Sequence, residues 1–395
     1  MTKVRKVIIV GAGFAGVHAA LKLANKSGFD VKLISPSSYF EYHAALYRSA
    51  TGRSPLEVAI PLEDFFAYAK NVEIVQDKII QLNTTEQKII GESDSIYNYD
   101  ELILALGNDT EFYGIKGLEK YSFGVKSVNE ALRLKRHLHD HLTTQHSESS
   151  YVVVGGGATG VELAAEMMSY LRRVRKKHGL ENSYFKVYLV EAADQVLGTL
   201  PTKFARRVEA RLKEVGVEIL LSTAVESETA EDIKLPNMNI ATHTVVWTAG
   251  VKNNQFFVQN DGIFKLGKLR RVEVNEHLEA YDNIYVVGDS ANTKYSGMAQ
   301  TALYDSSFVV NNLLRTNRGK SRQKYLSKKP VYAIPVGKRW AAVLWGDTEI
   351  YGRLGWLLRR SADLRLYLSF LPPRKALIVW HYGMLDEETC KTCRG

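Results

Sequence analysis

The sequence predicts an α/β chain of two similar strand–turn–helix units, the second inserted in the first, with β-meanders and an amphipathic C-terminal piece. Three observations carry this prediction. Residues 7–9 form a β-branched run that leads into Gly11-Ala-Gly-Phe-Ala-Gly16 and an Ala/Leu-rich helix at 17–24. The same order returns at residues 151–154, Gly155-Gly-Gly-Ala-Thr-Gly160 and a helix at 161–171. Each helix is followed by a further β-branched strand, at 30–34 and at 185–190.

Between the two units lie short alternating runs at 72–75, 78–82 and 87–90, read as a meander that closes onto a buried strand at 99–106. The second unit repeats the pattern at 217–221, 239–242 and 245–248. Both stretches end in small-residue turns, Ala105-Leu-Gly107 and Thr248-Ala-Gly250, and a later strand at 283–287 ends in Gly288-Asp289. The expected division is a first domain of residues 1–112 and 276–329, a second of 113–275, and a C-terminal region of 330–395.

A chain of 395 residues exceeds one ordinary core, and 45% apolar with 24% charged residues is the composition of a globular protein. The net charge of +9 calls for an anionic partner: nucleotide phosphates, nucleic acid or an anionic membrane surface. No recognised nucleic-acid motif is present, so nucleic acid is not expected. The only cysteines are Cys390 and Cys393, so no disulfide framework is expected and a reducing compartment suits the chain. That pair is read as a flexible tail. No run of about 18 apolar residues is available to span a bilayer.

In a strand–turn–helix of this kind the first glycine permits the tight turn and the second lets the backbone approach a pyrophosphate. The third lets helix and strand pack closely, while the helix N-terminus offers N–H groups and partial positive charge. Gly11, Gly13 and Gly16 fit these roles, as do Gly155, Gly157 and Gly160. One such turn is weak evidence; two, each with its own meander, predict two Rossmann-like dinucleotide sites and electron transfer between them. Glu191 ends the second strand of the later unit, where a carboxylate accepts hydrogen bonds from ribose hydroxyls and repels a 2′-phosphate. NADH is therefore expected over NADPH. The matching position of the first unit is Ser35, a single neutral hydroxyl. Asp289 can accept from a flavin ribityl hydroxyl or cap the helix that follows.

These residues resemble the two-dinucleotide flavoprotein superfamily and, more narrowly, the type II NADH:quinone oxidoreductases, over nearly the whole chain. Residues 7–16 look like the family's FAD fingerprint, 39–52 its aromatic segment, 152–166 its NADH fingerprint and 246–251 the neighbouring strand end. Val287-Gly-Asp-Ser-Ala291 resembles the second FAD motif, Met298-Ala-Gln-Thr-Ala302 the start of the quinone helix, and 351–380 the membrane-anchoring region. The resemblance implies that FAD is held by Gly11, Ala12, Gly13, Phe14, Ala15 and Gly16, with Ser35, Gly107, Asp289 and Ala299. NADH would be held by Gly155, Gly157, Ala158, Thr159 and Gly160, with Glu162, Glu191, Ala249 and Gly250. Gln300, Thr301 and Tyr304 would meet the quinone, Tyr304 standing where the family usually has a second glutamine. The family's acid for the FAD ribose is Ser35 here, and its cysteine after the Gly-Asp pair is Ser290.

The implied activity is hydride transfer from NADH to FAD and two-electron transfer to a membrane quinone, without proton pumping. Glu162 is the expected catalytic residue, beside the nicotinamide and flavin rings; its place in the first helical turn also suits the helix dipole. The chemistry needs no metal, and His137, His139 and His141, in a Lys/Arg-rich helix, are read as surface residues. From 351 to 384, Leu, Trp and Tyr mix with Arg353, Arg359, Arg360, Arg365, Arg374 and Lys375. Leu354, Leu357, Leu358 and Leu368 share one side of a helix, as an in-plane membrane helix requires. The expected location is peripheral, on an anionic membrane at its cytoplasmic face, with residues beyond about 329 removable without loss of NADH-to-dye activity. A homodimer is left open. A sulfide:quinone oxidoreductase or a disulfide reductase needs cysteines beside the flavin, which this sequence lacks. A ferredoxin or rubredoxin reductase and a non-catalytic redox sensor are the remaining alternatives.

Overall fold

The structure, a computed structural model, describes residues 4–144, 149–181, 183–260 and 262–388. The Cys390/Cys393 tail lies outside the described residues. The internal echo extends to sheet topology. The first sheet has the order Glu279–Tyr281, Ile284–Val286, Glu101–Leu104, Arg5–Val10, Phe29–Ser35, Val72–Gln76. The second runs Val245–Trp247, Ser149–Val154, Phe185–Val190, Val217–Leu220. In both, the strand before the glycine turn is central, its successors lie to one side and the returning strand to the other. Pairing is parallel except at the outer Glu279–Tyr281 strand. Val7, Ile8, Ile9 and Val10 are all buried, because elements cover both faces of the sheet and every side chain needs an apolar partner.

Two strands differ from the expected meanders. Residues 72–75 and 217–221 are edge strands of the two parallel sheets. The true meanders follow them, at Ile79–Asn83, Lys88–Gly91 and Ile96–Asn98, and at Ser227–Glu228, Asp232–Leu235 and Met238–Ala241. A half-exposed edge strand has the same two-residue period as a meander strand, so periodicity alone does not separate them.

The chain crosses between units on an antiparallel ribbon, Asn108–Thr110 against Val251–Asn253. The return comes earlier than residue 275: Phe256, Phe257 and Phe264 already pack with Ile8, Val10 and Ile34 of the first unit. Three rings in nine residues need an apolar partner, and the first sheet's open face supplies it.

The C-terminal region is a three-stranded sheet, Tyr332–Pro335, Ala341–Trp345 and Thr348–Ile350, followed by helices Gly352–Phe370 and Pro373–Tyr382. It is built into the body of the protein. Phe370 lies 5.7 Å from Phe40 and Tyr367 lies 5.2 Å from Tyr42, ring centre to ring centre. Two expectations change here. Arg359 and Arg360, counted among the basic residues bordering a membrane face, are buried; and Lys375 is paired with Asp64. The leucines that do face outward are Leu354, Leu357 and Leu368, joined by Leu377 and Ile378 of the last helix, with Leu358 only partly exposed.

The histidine helix, Val128–Thr144, also differs from its reading. His137 and His141, one turn apart, are half-buried. His137 hydrogen-bonds Thr244 at 2.7 Å and packs its ring tilted against Phe123, centres 4.4 Å apart, while His141 meets the Tyr151 hydroxyl at 3.1 Å. Burial, with neighbouring His141, lowers the His137 pKa to about 4, so that side chain is a neutral packing element.

Candidate functional site

The two glycine turns have the same local geometry. Gly11 and Gly155 take φ of +104° and +109°, a conformation that a side chain opposes. Their N–H groups donate to Ile34 and Val190, both at 2.8 Å, which ties each turn to the next strand. A Cβ on Gly16 or Gly160 would sit 1.8 Å from the carbonyl oxygen of Gly11 or Gly155, so both positions exclude any other residue. At Gly13 and Gly157 a Cβ would meet nothing within 4 Å. The space beside them opens into the cleft, and each glycine is the N-cap of a helix with no side-chain cap and no acid in its first turn. Each turn therefore presents uncapped N–H groups to an open cradle, the arrangement that binds a pyrophosphate.

One continuous cleft of about 1720 Å³ joins the two turns. A cavity for a single drug-sized ligand is about 300–1,000 Å³, so this volume suits two large ligands meeting end to end. Of the expected FAD residues, Gly11, Ala12, Gly13, Phe14, Ala15, Ser35, Gly107, Asp289 and Ala299 line it, and Gly16 stands behind the turn. Of the expected NADH residues, Gly157, Ala158, Thr159, Glu162, Glu191 and Gly250 line it. Gly155 and Gly160 pack against Ala249 and Thr248 just behind that wall.

Glu191 is held in place by its own turn, its carboxylate accepting from the Gly156 N–H and, at 2.8 Å, from the Ala193 N–H. Ser35 is buried and accepts from the Ser37 N–H at 3.3 Å. Asp289 sits in a short 3-10 turn, Gly288–Ser290, and faces the cleft. It does not cap the following helix, which begins at Ala299 with Met298 as its N-cap. Burial raises the Asp289 pKa, against the opposing pull of Arg271, His43 and Lys126. Ser290 is fully buried and donates to the Gly107 carbonyl at 2.8 Å, joining the two small-residue turns of the first unit.

The expected quinone residues divide. Gln300 lines the cleft, but its amide is engaged twice with the Val331 backbone, at 2.7 and 3.1 Å. Thr301 is buried behind it. Tyr304 does not line the cleft; it lies against Tyr325 at 5.7 Å, with the Lys328 ammonium 4.5 Å from its ring centre. Residues 300 and 304 share a helix face, but Tyr304 lies one turn further on, where Tyr325 and Lys328 cover it.

Glu162 lies just past the first turn of the helix Ala158–Lys177 rather than within it as expected, lines the cleft and is 9% exposed. Burial raises its pKa to about 7, with Arg359 and then Arg48 opposing and Glu166 reinforcing. A carboxyl there changes charge near neutral pH, as a proton donor or acceptor must. Sequence reasoning missed three contributors. Lys126 faces the cleft near Asp109 and Asp289. The strand Tyr332–Pro335 forms one wall, and Arg359, Ala362 and Leu366 bring the C-terminal helix to the same cleft. Lys126 follows a featureless loop, and the others are far away in the chain; neither has a local signature.

Beneath Arg359 lies a buried ionic cluster. Arg48 donates to Glu57 at 2.6 Å and to Asp363 at 3.0 Å. Arg360 donates to Glu57 at 3.0 Å and to the Trp380 carbonyl at 2.6 Å. Arg359 pairs with Asp363 and donates to the Ala44 carbonyl at 3.0 Å, and the Tyr42 hydroxyl also donates to Asp363. Removing the C-terminal region would unmake both this cluster and a wall of the cleft. The expectation that residues beyond about 329 can be deleted with dye activity intact is therefore corrected.

The sequence profile of the pyridine nucleotide-disulphide oxidoreductase family matches residues 5–305. Among characterised relatives, the type II NADH:quinone oxidoreductase Ndh of Mycobacterium tuberculosis is 27% identical, over 96% of this chain and 88% of its own. The type II NADH:quinone oxidoreductase of Staphylococcus aureus is 25% identical, over 91% and 94%. Among solved structures, NDH2 from Plasmodium falciparum in complex with NADH superposes with a TM-score of 0.84 at 17% identity, covering 96% of this chain and 97% of that one. The sulfide:quinone oxidoreductase from Aquifex aeolicus gives 0.79 at 17% identity, over 99% and 98%. At such identities the structural likeness is one of fold.

Proposed function

The chain belongs to the pyridine nucleotide-disulphide oxidoreductase family, and from that premise we propose that it oxidises NADH and reduces a membrane quinone through bound FAD, without pumping protons. The observation that carries this reading is the single cleft joining two open glycine cradles. The relatives named type II NADH:quinone oxidoreductases, matched over nearly their full length, support the choice of donor and acceptor.

Flavin, when bound, supplies the capacity to accept a hydride and return two electrons to a second substrate. The protein contributes orientation and charge. The Gly13 turn and the N-terminus of the helix Phe14–Leu23 hold the FAD pyrophosphate, and Asp289 accepts from a flavin-side hydroxyl. The Gly157 turn and the helix Ala158–Lys177 hold the NADH pyrophosphate, while Glu191 receives the ribose hydroxyls and disfavours a 2′-phosphate. Glu162 holds or releases a proton at its carboxylate oxygens, where quinone reduction consumes protons. Ala299, Gln300 and Thr301 begin the helix at the acceptor end, Gln300 fixing the wall at Val331. Both cysteines of the sequence lie at 390 and 393, which favours a quinone over a disulfide as acceptor.

Purified protein is expected to show an oxidised-flavin spectrum that NADH bleaches far faster than NADPH, and that a short-chain quinone restores. A colourless protein defeats the proposal, and bleaching that no quinone reverses moves the acceptor to a protein carrier.

Among the described residues no helix is long and apolar enough to cross a membrane. We assign membrane contact, at the cytoplasmic face, to the outward Leu354, Leu357, Leu368, Leu377 and Ile378, with Arg353 and Arg374 exposed beside them. Leu354→Glu with Leu357→Glu and Leu377→Glu is expected to abolish co-sedimentation with anionic liposomes, with bleaching by NADH unchanged. Retained sedimentation would place the membrane surface elsewhere.

A further inference from the structure

A second constellation lies outside the cleft, towards the C-terminal ends of two helices of the second unit. His139 stands on the helix Val128–Thr144, and His178 is the C-cap of the helix Ala158–Lys177, which packs beside it. Both side chains are half-buried, sheltered yet reachable from outside. Their Nε2 atoms lie 3.2 Å apart, with the ring planes crossed at 68°. Two nitrogens held by one zinc ion, at about 2.0–2.1 Å and the tetrahedral angle, are about 3.3–3.4 Å apart. The pair thus spans one edge of a zinc tetrahedron. The Nδ1 of His139 meets the Asp140 carboxylate at 3.1 Å. A proton on that nitrogen leaves the Nε2 lone pair facing His178, with the carboxylate behind the imidazole as it commonly stands behind a zinc ligand. Two imidazoles can also share this distance through a hydrogen bond alone, and a metal needs two further ligands. Among the described residues no third histidine, cysteine or carboxylate completes a metal set.

The chain itself brings two more ligands to this place. After the last helix, residues 386–388 are strapped onto the same two helices. Arg53 donates to Asp386 at 2.8 Å and the Glu387 N–H donates to the Gly52 carbonyl at 2.9 Å. The buried Lys135 donates to the Glu387 carbonyl at 2.6 Å, and the Tyr170 hydroxyl to the Glu388 carboxylate at 3.2 Å. Lys135 precedes His139 by one helical turn, about 6 Å along the axis. Tyr170 precedes His178 on the other helix by about two turns. Cys390 and Cys393 stand two and five residues beyond Glu388, a reach of about 7 and 17 Å for extended chain. Their Cys-x-x-Cys spacing is the one with which a short loop offers two sulfurs to a single ion.

We propose that His139, His178, Cys390 and Cys393 together bind one zinc ion, a structural site that fastens the end of the chain to the second unit. Each half alone supplies two ligands; the strap joins the halves. Two thiolates and two imidazoles form a set that selects zinc over magnesium or calcium, which take oxygen ligands. Four protein ligands leave no open position for a substrate, so the ion holds structure and performs no chemistry. The thiols bind as thiolates, and their protons pass to solvent as the metal enters. The C-terminal region is then held at both ends, by the ionic cluster beneath the cleft and by the metal beyond the strap. The inference does not depend on the electron donor or acceptor proposed above.

The full-length, flavin-loaded protein, with its thiols reduced and supplied with Zn²⁺, is expected to retain about one zinc per chain after gel filtration. Co²⁺ in its place is expected to give the red-region bands of a tetrahedral ion, beyond the flavin absorption, together with sulfur-to-cobalt charge transfer. Asp140→Asn, which removes only the carboxylate behind His139, is expected to weaken zinc binding by about 10–100-fold. Cys390→Ser, Cys393→Ser, His139→Asn and His178→Asn are each expected to weaken it further than that. His381→Gln, an exposed change on the last helix, should leave binding as it was. Flavin content in each variant separates loss of the ion from loss of the fold. Reduced protein that takes up no Zn²⁺ overturns the inference. Zinc retained in full by His139→Asn with His178→Asn also overturns it, as does one zinc per two chains, which would place the ion between the thiols of two copies.

Discussion

Asp363→Asn is expected to destabilise the protein by about 3–5 kcal/mol, the cost of removing one partner from a buried ion pair. Asp363 is fully buried and receives Arg48, Arg359 and the Tyr42 hydroxyl, with Arg360 3.5 Å away. The amide keeps the shape and one acceptor but removes the charge. Three buried guanidiniums would then face Glu57 alone. The charge is central because the cluster joins three parts of the fold: Arg48 from the helix Leu46–Ala50, Glu57 from the 3-10 turn Pro55–Glu57, and Asp363 with both arginines from the C-terminal helix. Urea denaturation followed by circular dichroism should show a lower midpoint, with release of flavin at lower urea than in the wild type. Arg365→Gln, an exposed change on the same helix, is the control and should stay within about 0.5 kcal/mol of the wild type. An unchanged midpoint for Asp363→Asn would show that the cluster contributes no net stability.

Gly157→Asp is expected to raise the KM for NADH about 100-fold while leaving flavin content and stability intact. The backbone there has an ordinary φ of −69°, and a Cβ would meet nothing within 4 Å. The position is an N-cap, where aspartate is a favoured residue, so folding has no reason to suffer. The same carboxylate would lie where a pyrophosphate must approach, and a like-charge contact costing about 3 kcal/mol corresponds to about 100-fold. Gly13→Asp is the mirror experiment and should remove flavin while NADH still binds the second unit. If Gly157→Asp loses flavin instead, the assignment of the two sites is reversed.

The strand–turn–helix units, and both glycine turns residue by residue, were legible in the sequence. Their physics is local: a left-handed backbone at Gly11 and Gly155, close contact at Gly16 and Gly160, and β-branched strands on either side. The places of Glu191 and Asp289 on the cleft wall were legible for the same reason, since one follows a predicted strand directly and the other comes two residues after one. Signals that repeat every two residues were read less well. Residues 72–76 alternate like a meander strand, and only parallel pairing with Phe29–Ser35 identifies them as a sheet edge.

What the sequence by itself determined is therefore the pair of glycine turns, each at a helix N-terminus, and their order along the chain. Only the tertiary structure decided that they open into one cleft, that Tyr304 turns away from it, and that Arg359 and Arg360 point inward rather than towards a membrane. The reason is one of range. A glycine turn meets its constraints within about 30 residues, inside a single strand–turn–helix–strand unit. Besides the nearby Asp363 and Trp380, the partners of Arg359 and Arg360 stand some three hundred residues earlier, at Ala44 and Glu57. An arginine in an amphipathic helix reads as solvated until the carboxylate or carbonyl that takes it out of water is brought beside it by the rest of the fold.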